Sequence, residues 1–100
     1  MTSFDHTELD DVIHGRLRLG VMAYLSTASP ATFLELKAKV NATDGNLSAH
    51  LSKLEEAGYV RIEKQFEGKK PVTRAHLTEA GRDAWIAYLD RLKAMLSAAE

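Results

Sequence analysis

Four histidines are the residues best suited to proton transfer or metal ligation: His6, His14, His50 and His76. They are scattered, no pair has the close spacing of a local metal site, and the chain has no cysteine to supply a thiolate. His14 with Asp10 or Asp11 could hold a metal across two copies, but an exposed helix face explains those residues more simply. The chain has no nucleophile elbow, phosphate-binding glycine loop or metalloprotease signature, because Gly45 is an isolated helix-start glycine. No enzyme activity, metal site or cofactor is expected. Recognition chemistry is more promising. Asp44, Gly45, Asn46, Ser48, Ala49, Ser52 and Lys53 crowd into ten residues, and Lys64, Lys69, Lys70 and Arg74 follow within the next twenty-one. Asn46 suits bidentate pairing with adenine, the serines are versatile donors, and the Ala49 methyl suits a thymine methyl. The lysines and Arg74 suit phosphates, and Lys69, Lys70 and Arg74 together could straddle a phosphate backbone or enter a minor groove.

Those residues need elements to position them. Val12, Ile13, Leu17, Gly20, Val21, Tyr24 and Leu25 recur at helical spacing, predicting a first helix from about Glu8 to Ala28, stopped by Ser29-Pro30. Thr32 and Glu35 have capping-box spacing and open a second, short helix lined by Phe33, Leu36 and Val40. Asn41 to Asp44 reads as a turn, with Thr43 or Asp44 capping a third helix whose buried stripe is Leu47, Leu51 and Leu54. Gly58 stands where a left-handed C-terminal cap is expected. The period then changes. Val60, Ile62 and Phe66 fall on one side of an extended segment and Arg61 and Glu63 on the other, Glu67 to Pro71 forms a turn, and Val72 to Leu77 returns to complete a hairpin. Thr78 caps a last helix carrying Trp85, Tyr88, Leu89, Leu92, Met95 and Leu96.

On a helical wheel, the face of the third helix opposite its leucines holds Gly45, Ala49, Ser52 and Lys53, flanked by Asn46 and Ser48. Such a face is usually mere solvent-exposed surface. Its place between a capped helix and a basic hairpin favours contact with a groove of duplex DNA. Without an arginine it lacks the commonest guanine reader, so modest base specificity is expected, assisted by DNA shape. The overall charge of −1 argues against a broad cationic surface. The distribution is uneven, however: residues 59–76 carry five Lys/Arg against two Asp/Glu, between acidic flanks. His50 lies beside the leucine stripe, where packing and DNA contact are equally reasonable roles.

The run TDGNLSAHLSKLEEAGYV (Thr43 to Val60) resembles the recognition helix and following strand of winged-helix regulators of the MarR and ArsR type. FLELKAKV before it resembles their second helix, and LTEAGR (Leu77 to Arg82) the entry to their last. The likeness spans roughly Asp10 to Leu96. It implies an α+β, mainly α, winged helix-turn-helix with three N-terminal helices, a β-hairpin wing and a long C-terminal helix. It also implies a homodimer on a pseudo-palindromic DNA site, with Asn46, Ser48, His50 and Lys53 facing DNA and Lys69 and Lys70 in the wing.

One hundred residues make one domain, here read as a winged core over 8–78 and a C-terminal dimerisation helix over 79–100. Trp85, Leu89, Leu92 and Leu96 form a heptad-like stripe with little chain left to cover it. A two-fold dimer through the first and last helices is therefore expected, using Val12, Ile13, Leu17, Trp85, Tyr88, Leu89, Leu92 and Leu96. A small-molecule or protein effector would act at that interface or between the long helices and the core. The acidic start is unlike a secretory signal and no apolar run reaches bilayer length, so no membrane role and a cytoplasmic location are expected. The alternative function is a winged helix used for protein–protein interaction.

Overall fold

The computed structural model describes residues 9–98, so His6 and Glu8 lie outside the described residues. The first helix, α1, spans Arg16–Ala28 and starts later than its periodicity predicts. The cause is Asp10, whose carboxylate accepts from the amides of Val12 (2.8 Å) and Ile13 (3.4 Å). A short acidic side chain that satisfies nearby amides holds the backbone in a turn and competes with the helix. Residues 9–15 instead lay Leu9 and Ile13 into the core. At the other end, Ser29 is extended and ends α1 before Pro30.

Strand β1 is only Ala31–Thr32, and α2 (Phe33–Val40) follows at once. Thr32 accepts from the Glu35 amide and Glu35 reaches back to the Thr32 amide, the reciprocal cap expected from their spacing. Glu35 also accepts from the Tyr24 hydroxyl on α1, and this hydrogen bond raises the Tyr24 pKa. Asn41 takes a left-handed conformation (φ 53°) and turns the chain into α3, Asp44–Glu56. Thr43 rather than Asp44 is the cap, accepting from the Asn46 amide. Leu47, Leu51 and Leu54 are buried as expected.

Gly58 (φ 82°) ends α3 in the left-handed region that other residues avoid. Strands β2 (Val60–Glu67) and β3 (Lys70–Leu77) then pair antiparallel, with Glu67 opposite Lys70 and only Gly68-Lys69 between them. β1 pairs with the other edge of β3, placing Ala31 opposite Ala75, so the hairpin is part of a three-stranded sheet of order β1-β3-β2. Two residues are too short to show a strand period, and β1 gives no sequence signal. Phe66 shares a face with Val60 and Ile62, but it lies beyond the core near the hairpin tip and is 74% exposed.

The last helix, α4, spans Glu79–Ala98. Thr78 accepts from the Gly81 amide and donates to the Gly58 carbonyl, fastening the start of α4 to the corner after α3. α4 packs on α1, and Tyr88, whose ring lies parallel to Trp85, ties it to the turn before α1 through its hydroxyl, 2.7 Å from His14 Nδ1. Two of the residues expected at a dimer interface are instead buried within the chain. Ile13 has no exposed surface and Tyr88 only 2%, so both serve the chain's own core. Val12, Leu17, Trp85 and Leu92 are half-buried, whereas Leu89 and Leu96 are exposed.

Candidate nucleic-acid interface

α3 rests on the core by its leucines and turns Gly45, Asn46, Ser48, Ala49, Ser52 and Lys53 to solvent. Asp44 is also exposed and pairs with Lys37 of α2 at 2.7 Å, which offsets a charge that would repel phosphate. Its place in the first turn also suits the positive end of the helix dipole. Glu55 and Glu56 close the helix with two exposed carboxylates. The face suited to an anionic duplex is thus limited to about Gly45–Lys53.

The hairpin stands beside this face. Ile62, Lys64 and Thr73 project from the side of the sheet turned toward α3 and meet Ser48, Ser52 and Glu55 across a cleft of about 600 Å³, floored by Phe33 and Leu51. This brings together Ser48, Ser52 and Lys64, separated by up to sixteen positions in sequence. Two hydroxyl-bearing helix residues, a strand threonine and a lysine line one concavity and can donate to a phosphate at its Ser48 end, while the Glu55 carboxylate disfavours an anion at the other. Thr73 and Phe33 were not among the sequence candidates because only the β2–β3 register and the α2 packing bring them there.

The charges divide into paired and unpaired. Arg74 points from the opposite face of the sheet and is held by Glu67 at 2.6 Å. It braces the hairpin and leaves the group of three free cations expected there. Glu63 likewise engages His76 at 3.0 Å and Arg61 at 3.8 Å. Lys53, Lys64, Lys69 and Lys70 form no ion pair among the described residues, and all four are exposed. These four lysines carry the uncompensated positive charge of the α3–hairpin surface.

His50 is half-buried on the α1 side of α3, and its Nδ1 lies 2.8 Å from the Arg18 guanidinium. A guanidinium only donates, so this Nδ1 is the unprotonated acceptor. Arg18 also donates to the carbonyls of Val12 (2.5 Å) and Asp11 (3.4 Å), joining the N-terminal turn to α3. Desolvation, then the charges of Arg18 and Lys53, lower the His50 pKa. Arg18 is therefore a positioning residue for α3, separated from His50 by thirty-two positions and carrying no local sequence signal.

Residues 17–96 match the winged helix DNA-binding domain family. The chain belongs to that family. An uncharacterized protein of Methanocaldococcus jannaschii is 36% identical over 78 residues, which cover 78% of this chain and 85% of that protein. The solved structure of a transcriptional regulator homologue from Pyrococcus horikoshii superposes with a TM-score of 0.90 at 26% identity, over 100% of this chain and 99% of the other. An ArsR family transcriptional regulator shares the fold, with a TM-score of 0.61 at 24% identity over 86% and 84% of the two chains. This protein therefore carries a winged helix DNA-binding domain. β2–β3 is its wing, with α2 and α3 the helix-turn-helix.

No group of three or more His, Cys, Asp or Glu capable of holding a metal occurs among the described residues. His14 and Asp10 are engaged elsewhere: His14 with Tyr88, and Asp10 with the Tyr59 hydroxyl at 2.5 Å. No described helix is long and apolar enough to cross a membrane.

Proposed function

We propose that this winged helix protein acts as a homodimeric, sequence-specific regulator that lays α3 in the major groove and its basic wing on the adjoining phosphate backbone or minor groove. The observation that carries this reading is the cleft between α3 and the wing. Its walls hold Ser48, Ser52, Lys64 and Thr73 beside the Glu55 carboxylate, and Lys53 on α3 with Lys69 and Lys70 at the hairpin tip form no ion pair among the described residues. Asn46 and Ala49 on the outer face of α3 read base edges, and Gly45 permits close approach of the helix start. His50 acts through Arg18 to set the angle of α3. Arg74 and Asp44 shape the surface through their ion pairs.

The winged core over residues 8–78 binds DNA, and the segment 79–100 joins two copies. Support for the dimer comes from α4, where Ile86, Leu89 and Leu96 are 52%, 42% and 63% exposed beside half-buried Trp85 and Leu92. A second copy would cover these side chains, together with Val12 and Leu17, by two-fold symmetry. Light scattering at tens of micromolar is expected to give twice the 11.1 kDa chain mass. Only monomer at that concentration would defeat the dimer. A small-molecule or protein effector would act by changing the spacing of the two α3 helices across that interface.

The test of DNA binding is selection of bound fragments from random duplex DNA, followed by Lys69→Ala with Lys70→Ala across a salt series. Loss of two phosphate contacts is expected to weaken binding to all sequences and make the log–log salt slope shallower by roughly 2. Asn46→Ala is expected to change preference at particular base pairs instead. An unchanged slope in the double lysine variant removes the wing from the mechanism.

A further inference from the structure

We propose that Phe66, backed by Pro71, is an apolar wedge that the wing inserts into the minor groove beside the major groove occupied by α3. The proposal rests on the DNA-binding reading of the wing and deepens it. Phe66 is the most exposed of the large apolar side chains among the described residues, at 74%. Register places it opposite Pro71, and both lie on the sheet face that carries Lys64 into the α3 cleft. Side chains two apart on a strand are about 7 Å apart along it. A wing that meets a backbone phosphate at Lys64 therefore carries Phe66 beyond that backbone, toward the neighbouring minor groove.

The turn supports the same destination. Gly68 has φ 65° and only Gly68-Lys69 separates the strands, so the tip is narrow. Lys69 in the turn and Lys70 on the opposite face of the sheet form no ion pair among the described residues, so the hairpin tip that carries the ring is cationic. An exposed ring on a cationic tip does not suit an apolar protein core, but it does suit a groove with anionic walls and a floor of base edges. Phenylalanine and proline are among the side chains that wedge into the minor groove and partly unstack a base step. The 2-amino group of guanine projects into that groove, so the wedge favours A·T pairs under the wing.

The experiment uses the full chain and the DNA site recovered by selection, with three proteins (parent, Phe66→Ala, and Lys69→Ala with Lys70→Ala) over a salt series. The base pairs under the wing are varied as A·T, G·C and inosine·cytosine. Inosine lacks the 2-amino group, so its pair keeps the A·T minor-groove floor with a G·C-like major groove. The parent is expected to bind A·T and inosine·cytosine sites alike and G·C sites about tenfold more weakly. Phe66→Ala is expected to lose about tenfold on the A·T site at every salt concentration, with an unchanged slope and no remaining discrimination against G·C. The ring is exposed, so an unchanged melting temperature should accompany that loss. Full affinity of Phe66→Ala, or retained discrimination, overturns the wedge even when the lysine variant shows the expected shallower slope. An unchanged slope in the lysine variant overturns the wing reading itself, and the wedge with it. A weaker Phe66→Ala with a shallower slope would also refute the wedge, since the ring would then merely position the lysines.

Discussion

The same substitution, glycine to alanine, is expected to have opposite effects at two helix starts in this chain. Both Gly81 and Gly45 lie in the first turn of a helix, where alanine is intrinsically favoured by up to ~1 kcal/mol. At Gly45 a Cβ would meet nothing within 4 Å, so that preference is unopposed. At Gly81 a Cβ would stand 2.1 Å from the Tyr59 carbonyl oxygen and 2.9 Å from Leu77 Cδ1. The carbonyl is backbone and cannot swing aside. It also accepts from the Thr78 amide at 3.1 Å, beside the 2.6 Å bond from Thr78 Oγ1 to Gly58. Relief requires the start of α4 to lift by about 1 Å, sacrificing those two hydrogen bonds at about 1 kcal/mol each. Overpacking of the surrounding side chains adds about 1–3 kcal/mol. Subtracting the helix preference leaves Gly81→Ala destabilised by about 2–4 kcal/mol, a fall in melting temperature on the order of 10–20 °C. Gly45→Ala should gain between a few tenths and ~1 kcal/mol. Urea denaturation followed by far-UV circular dichroism, with m unchanged, reads both. Gly81→Ala as stable as the parent would refute this account of how α4 docks, and Gly45→Ala less stable would show that the start of α3 is not open.

Two further expectations concern pH. The hydrogen bond to Asp10, then burial, raises the Tyr59 pKa to about 12. The folded state thus favours the protonated phenol, giving stability that is complete below about pH 10 and lost as pH rises toward 12. Tyr59→Phe should flatten the alkaline limb of a denaturation series, and an equally steep limb would show that the Asp10 contact is not formed. His50 has the opposite sign, because desolvation and the neighbouring cations lower its pKa and the folded state favours neutral imidazole. Its contribution is complete above about pH 6.5 and is lost as pH falls below that. His50→Gln keeps a carbonyl acceptor for Arg18, so the acid loss should shrink relative to the parent. If the two proteins lose stability in parallel from pH 6.5 to 5, the Arg18–His50 contact is not what holds α3.

Features of the fold that depend on neighbouring residues were legible in the sequence. The Thr32–Glu35 box, the Thr43 cap, the left-handed Gly58 and the Thr78 cap each act within a few residues of their partners, and each is observed. The leucine stripe of α3 was equally clear, because burial at helical spacing leaves a periodic trace. The start of α1 was not, since Asp10 follows the same periodicity while its carboxylate holds a turn. Phe66 alternates correctly for a buried strand residue, yet alternation specifies a face and not how far the core extends beneath it. Ile13 and Tyr88 were assigned to an interface because apolar spacing does not distinguish a chain's own core from a second copy's surface. In the candidate site, exposed polar residues of α3 were visible directly. Their grouping with Lys64 and Thr73, the pairing of Arg74 with Glu67, and the Arg18–His50 link all depend on contacts between distant positions.

The central claim, that α3 and the wing together grip duplex DNA, is tested most directly by amide chemical-shift mapping during titration with the selected duplex. The account predicts the largest changes at Gly45–Lys53 and Lys64–Lys70, with little change along the outer face of α4. Changes concentrated on α4, with α3 and the wing silent, would contradict it.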